Sequence, residues 1–294
     1  MDILPQLIMN SIIAGAIYSL IALGFNLIYS TVKFFDLGYG ALTAVGGYSV
    51  FWLSKEMGLP LVASIIAGAA VAGLVGMVIS RLVYHPLRHR RSSSMVMLVA
   101  SLGAFTALQA IIAIIFTSQF QTLTAGGRTN RIFELSWPGL ESSAVITGVQ
   151  LAILISGLAI MLLLGALLKW TKLGKAIKAV ADDEEVAKIV GINTDRIVMI
   201  VFFIGSAIAG LAGILVGLDT GIEPTMGLSL LLKGVVAAIV GGIGNVYGGV
   251  LGAFLLGFVE NFGIWHISGE WKDAIAFALL IIFLLFRPQG ILKR

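Results

Sequence analysis

Cysteine is absent from the 294 residues, which excludes disulfides, thiolate catalysis and cysteine-held zinc or iron–sulfur centres. Charge is scarce as well: Asp, Glu, Lys and Arg make up 12% of the chain, against about 25% in an average soluble domain. Histidine occurs only three times, and neither a His-Glu-x-x-His pattern nor a Ser, His and Asp constellation is present, so an intramembrane hydrolase is not expected. His85 and His89 stand four apart, but Pro86 between them and Arg88, Arg90 and Arg91 around them argue for exposed loop residues rather than a metal site. A nucleotide loop is missing too. The glycine run Gly241-Gly242-Ile243-Gly244-Asn245-Val246-Tyr247-Gly248-Gly249 is not followed by Lys-Ser or Lys-Thr, and its spacing is not a dinucleotide fingerprint.

What is abundant is apolar surface. Hydrophobic residues reach 59%, where roughly 45–50% is ordinary, and a water-soluble fold is excluded. Nine segments are apolar enough to be membrane-crossing candidates: 6–29, 37–53, 59–83, 95–117, 144–168, 197–218, 228–240, 246–264 and 274–286. Asp2 is the only charge before the first of them, so that segment reads as a retained span and not a cleaved signal. The expected fold class is an all-α integral membrane protein, a polytopic bundle of 8 to 10 spans in a single domain over 1–294, set in a lipid bilayer.

Lys and Arg gather in residues 85–91, 169–196 and 287–294, which the positive-inside rule assigns to the cytoplasm. Nine spans threaded through those anchors put the N-terminus outside. The net charge of +4 then reflects cytoplasmic loops, and no nucleic-acid partner is implied. A faint internal similarity runs in register along the chain. Ile13-Ala14-Gly15 and Val45-Gly46-Gly47 recur, 195 residues later, as Ile208-Ala209-Gly210 and Val240-Gly241-Gly242, and on nine spans the two copies face opposite ways as inverted repeats.

Glycine is in excess, at 36 residues. Gly68, Ala72 and Gly76 share one helical face, as do Gly205, Ala209, Gly213 and Gly217, and Gly249, Ala253 and Gly257; such faces let helices pack closely in lipid. Close packing within the chain is the simpler use, a subunit contact the alternative.

Ionisable groups inside apolar spans are functional candidates by default. Lys233 and Glu260 qualify, with snorkelling or an ion pair as the structural alternative. Asp36 lies at a span boundary, where it either caps a helix near Tyr39 or touches a substrate. The glycine run between two spans is expected to break the helix and offer backbone groups to a conduit. Asn26, Tyr29, Asp36, Tyr39, Gly241, Gly242, Gly244 and Asn245 are therefore the candidate pathway residues.

The segment 169–196 carries six basic and five acidic side chains in 28 residues. Ala176, Ala179 and Val180 fall on one helical face and Val186, Ile189 and Val190 on another, predicting two short amphipathic helices. The acidic run Asp182, Asp183, Glu184 and Glu185 argues against a helix lying on the negative inner leaflet.

This segment carries a resemblance. Glu185, Ala187 and Gly191 in EVAKIVG resemble the glutamate, alanine and glycine of the coupling-loop motif of ABC importer permeases, and the following GINTDR resembles the branched-chain amino acid permease family of the LivH type. The segments GAIYSLIALGFNLIYS, AIVGGIGNVYGG and FALLIIFLLFRPQGIL agree in order along the chain. Three departures bear on the motif and on cargo: Asp36-Leu37-Gly38-Tyr39-Gly40-Ala41 where relatives commonly read Asn-x-Ala-His-Gly and an acid, Glu223-Pro224 where many have Asn-Pro, and Val186 for the motif's first alanine.

The resemblance implies a transport subunit and not an enzyme, moving branched-chain or other aliphatic amino acids through a prokaryotic inner membrane by alternating access. It implies a second related permease, an extracytoplasmic binding protein, and two cytoplasmic ATPases that hold the ATP and Mg, with no cofactor in this chain. Asp182, Asp183, Glu184, Glu185, Ala187, Gly191, Asn193, Asp195 and Arg196 would then couple the ATPases to the permease. A permease for urea or short amides is the nearest alternative, a self-sufficient secondary transporter the next.

Overall fold

The structure is a computed structural model that describes residues 3–123, 132–136, 143–265 and 267–292. Twelve α-helices lie among the described residues: α1 Leu4–Val32, α2 Gly38–Phe51, α3 Leu61–Ile79, α4 His85–His89, α5 Ser94–Phe116, α6 Gly148–Trp170, α7 Lys172–Asp182, α8 Glu184–Ile189, α9 Thr194–Asp219, α10 Met226–Gly241, α11 Val246–Gly263 and α12 Lys272–Phe286. Each of the nine apolar segments forms a helix. Six helices, Leu4–Val32, Leu61–His89, Ser94–Phe116, Gly148–Trp170, Thr194–Asp219 and Val246–Gly263, are long and apolar enough to cross a membrane, and the chain is a multi-pass membrane protein. A π turn at Ser80–Tyr84 carries α3 directly into α4, which makes one 29-residue helix of them.

Two expectations at element ends need correction. Residues 132–136 and 143–147 pair as an antiparallel hairpin, β1 Ile132–Ser136 and β2 Ser143–Thr147, where no strand was expected. The span placed at 144 accordingly starts at Gly148. Thr147 supplies the reason: its side chain accepts from the Gln150 amide while Gln150 returns a bond to the Thr147 amide, a capping box that starts α6 and leaves Ala144 and Ile146 in the strand.

Helices α1 and α9 form the centre: 83% of the most apolar stretch of α1 is buried, against 17% in α5, most of whose apolar side chains face outward while Met97, Phe105 and Ile112 are buried. Glycine sets the spacing. A Cβ at Gly46 would overlap the backbone of Gly210, and one at Gly213 that of Thr43, so α2 and α9 touch through backbone. The stripe on α3 faces α2 and α9, and the stripe on α11 faces α1; Ala72, Ala209 and Ala253 are fully buried. Packing within the chain accounts for all three stripes.

The charged connections meet at one end of the bundle, where Arg88 of α4 reaches Glu184 of α8. At the opposite end Gln6 of α1 holds β2, its Nε2 donating to the Val145 carbonyl at 3.1 Å and its Oε1 accepting from the Val145 amide at 2.8 Å. A two-way backbone pairing of Gln121 with Ile222 ties the α5–α6 connection to the α9–α10 turn there.

Candidate functional site

The segment 169–196 folds as two short helices, as its sequence predicts. Thr171 caps α7 by accepting from the Gly174 amide at 2.9 Å. Asp183 ends α7 and starts α8, its Oδ1 accepting from the amides of Glu185 at 2.8 Å and Val186 at 3.0 Å. Gly191 closes α8 with φ of 85°. Its amide donates to Lys188 O and that of Ile192 to Ala187 O, each at 3.0 Å, the paired bonds of a Schellman turn. Asn193 then caps α9, accepting from the Arg196 amide at 3.0 Å.

Glu184 binds these pieces together. Its Oε1 lies 2.6 Å from Arg88 Nη2 and 2.8 Å from Lys188 Nζ, and accepts from Thr194 Oγ1 at 3.3 Å. Partial burial opposes its ionisation, but the bonds and charges of Lys188 and Arg88 outweigh that and hold the carboxyl below the usual carboxylate range. The apolar face of α8 is the reverse of what amphipathicity suggests. Ala187 is buried, whereas Val186 and Val190 are exposed and Ile189 is 83% exposed. A six-residue helix on a salt-bridged anchor thus presents its apolar side chains outward, beside Glu185.

The pathway candidates collect around the last half of α1. Asn26 is fully buried; its Oδ1 accepts from the Gly244 amide at 2.9 Å and its Nδ2 donates to Asn245 O at 3.1 Å. The helix does break at the glycine run, with φ of 115° at Gly242 and 83° at Gly244, and Asn245 restarts it by accepting from the amides of Tyr247 and Gly248, each at 3.1 Å. The expectation that this break exposes free backbone is corrected for Val240, Gly241, Gly244 and Asn245. Asn26 takes up groups of Gly244 and Asn245, and the amides of Ile291 and Leu292 donate to Val240 O and Gly241 O at 2.9 and 3.0 Å, because buried backbone groups must be paired where water cannot reach them.

A cavity of about 290 Å³ borders the turn at the charged end, lined by Ser30, Lys178, Asp182, Gly244, Asn245 and Tyr247 among others. The 169–196 segment and the glycine turn therefore share one wall. Tyr29 and Tyr39 flank Phe25, with ring centroids 6.0 and 6.2 Å away, and Tyr39 Oη donates to Ile21 O at 3.0 Å.

Asp36 is buried, receives the Tyr84 hydroxyl at 2.6 Å, and is faced by the amides of Gly38 and Tyr39. Of its two readings, the helix start near Tyr39 is the one this geometry matches. Lys233 and Glu260 face each other at 3.4 Å. Tyr18 Oη donates to Glu260 Oε2 at 2.7 Å, and Lys233 lies 3.1 Å from Asp273 at the start of α12. Glu260 is buried throughout, its Oε1 facing the Lys233 ammonium without a well-aligned hydrogen bond. An ion pair, and not snorkelling, accommodates both charges. Tyr18, Tyr84, Arg88 and Asp273 complete these contacts and carried no signal in the sequence beyond their residue types.

A family described as "Branched-chain amino acid transport system / permease component" matches residues 7–284. The high-affinity branched-chain amino acid transport system permease protein LivH of Escherichia coli K12 is 34% identical over 304 residues, covering 98% of this chain and 95% of its own. BraD of Pseudomonas aeruginosa, named for the same kind of system, is 32% identical at the same coverage. LivM of Salmonella typhimurium, also a permease protein of such a system, is 24% identical over 94% of this chain and 68% of its own. The match from end to end shows that the chain belongs to the branched-chain amino acid transport system permease family.

Proposed function

We propose that this permease subunit of an ATP-binding cassette importer carries branched-chain or other aliphatic amino acids across a prokaryotic inner membrane by alternating access. The observation that carries the reading is α8. Its exposed Val186, Ile189 and Val190 stand on an anchor built from Arg88, Glu184 and Thr194, a surface suited to a cytoplasmic ATPase that closes on ATP and Mg. Movement of α8 passes to α7, whose Lys178 and Asp182 line the cavity beside the glycine turn. Asp182, Asp183, Glu184, Glu185, Ala187, Gly191, Asn193, Asp195 and Arg196 are the coupling residues in this reading. Asn26, Asp36, Tyr39 and the turn at Gly241, Gly242, Gly244 and Asn245 hold the pathway wall in shape, with Tyr29 beside it.

The subunit works with a second permease, two ATPases and an extracytoplasmic binding protein. That relatives named LivH and LivM are both permease proteins of such systems supports a pair of unlike permeases. Nine spans with the N-terminus outside, arranged as inverted repeats, fit the packing: α1 lies along α11 as α9 lies along α3, and α2 meets α9 as α10 meets α1. Gly15 and Gly210, equivalent in the two copies, face Phe254 of α11 and Ala72 of α3 respectively.

The cavity beside the turn is lined by one charge of each sign, Lys178 and Asp182, among apolar and neutral residues, which suits a zwitterion with an apolar side chain better than a net-charged solute. The test is competition against ATP-driven uptake by the reconstituted complex. Excess leucine or valine suppresses uptake and urea does not; the reverse result would replace the amino-acid reading with a urea or amide permease.

A further inference from the structure

His85 and His89, expected to be loop residues, lie one turn apart on α4, their ring centroids 4.4 Å from each other. Pro86 does not interrupt them: the chain stays helical from Leu61 to His89, with Pro86 placed just after the π turn at Ser80–Tyr84, where the regular bonding is already shifted. The side chain of Asp195, in the first turn of α9, meets them. The two Nε2 atoms are 3.1 Å apart, and Asp195 Oδ2 is 3.6 Å from that of His85 and 3.4 Å from that of His89. We propose that these three side chains form a site for one divalent transition-metal ion of the Zn²⁺ class, joining α4 to the start of α9.

The triangle is the main argument. Four ligands held tetrahedrally at about 2.0–2.1 Å from zinc lie about 3.3–3.4 Å from one another, so the three donor atoms already sit near the corners of one tetrahedral face. Protons fill such a triangle poorly. A hydrogen carried by one Nε2 can point at only one of the other two atoms of the triangle, whereas a single cation engages all three.

The positions are held by bonds that do not involve the donors. Asn193 caps α9, and Arg88, between the two histidines, is fastened to Glu184. All three donors are partly exposed, which leaves an ion a way in. Two imidazoles and one carboxylate select Zn²⁺, Co²⁺ or Ni²⁺ over Mg²⁺ or Ca²⁺. Arg81 and Arg196 line the adjoining groove with His85 and Asp195; their charge opposes a bare cation and favours an anion such as hydroxide or chloride in the fourth position.

The site shares Asp195 with the coupling residues named above, but its test needs no transport: it is binding to the full chain, purified in detergent without a polyhistidine tag. Zn²⁺ titrated calorimetrically should bind at one equivalent, and Co²⁺ should give the intense visible absorption of a tetrahedral centre. His89→Gln and Asp195→Asn, each keeping the helical circular dichroism of the parent, should weaken binding at least tenfold, while His266→Gln should not. Absence of saturable binding, an unchanged affinity in His89→Gln or Asp195→Asn, or loss of the ion in His266→Gln would overturn the proposal.

Discussion

Asn26 and Gly244 lie 218 residues apart and meet through a hydrogen bond of 2.9 Å, with the other end of the same amide bonded to Asn245 O at 3.1 Å. One buried side chain thus satisfies two backbone groups of a half-buried helix break. Asn26→Leu keeps the volume and leaves both unpaired, at a cost of roughly 2 kcal/mol or more. Thermal unfolding in detergent should show a clear fall in midpoint; an unchanged midpoint would mean that the turn holds its shape without Asn26.

Gly191 separates conformation from contact. Its φ of 85° penalises any L side chain, yet no atom lies within 4 Å of where a Cβ would stand. Gly191→Ala and Gly191→Leu should therefore lose a similar stability, about 1 kcal/mol. ATP-driven uptake should nonetheless fall to a tenth or less in the leucine variant, whose side chain would stand on the surface proposed above for the ATPase. Wild-type uptake by a purified Gly191→Leu complex would dissociate this turn from coupling.

The Lys233–Glu260 pair should respond asymmetrically. Lys233→Met strands a fully buried carboxylate, and loss of one partner of a buried pair costs about 3–5 kcal/mol. Glu260→Gln costs less, since Lys233 keeps Asp273 at 3.1 Å. The double variant Lys233→Met, Glu260→Gln should be more stable than Lys233→Met alone, and a double-mutant cycle on unfolding midpoints measures the difference.

The sign of the pH effect at Glu184 follows from its lowered carboxyl range. A group depressed on folding contributes stability above its unfolded value, near 4.3, and loses that contribution as pH falls through its folded value. Between pH 6 and 8 the Arg88–Glu184 contact should be constant, worth about 1 kcal/mol or less as a partly exposed pair. The difference in melting between the parent and Glu184→Gln should shrink only as pH drops below the ordinary carboxylate range; a difference that closes between pH 6 and 8 would point to another group.

Sidedness can be read with single cysteines, since the chain has none of its own. An impermeant thiol reagent added to sealed cells should label position 223 and spare positions 90 and 183. Arg128, expected outside, and Lys293, expected inside, lie beyond the described residues. External labelling at 183 would reverse the orientation.

The local events of the chain were legible from its residues. Long apolar runs become helices because a backbone in lipid has to satisfy its own hydrogen bonds. Gly191 ends a helix through the positive φ that residue type allows, whereas the caps made by Asp183 and Asn193 were shown only by the structure. Legibility weakened at 132–147, where the apolar character of Ala144, Val145 and Ile146 suits a strand as well as a helix, and the capping pair Thr147 and Gln150 decided between them.

By itself, then, the sequence determined the membrane class, the nine helical segments, the charged two-helix connection and, through its resemblance, the family. Tertiary structure alone decided which side chains meet: Asn26 with the glycine turn, Tyr84 with Asp36, Lys233 with Glu260, and Asp195 with the two histidines. The reason is physical. A helix apolar on every side carries little hydropathy pattern to fix its rotation, so the partners of its few polar groups are set by where small residues let backbones approach. The outward apolar face of α8 has the same origin, because the Arg88–Glu184 anchor and the cap at Asp183 fix the turn of that helix more strongly than three aliphatic side chains can.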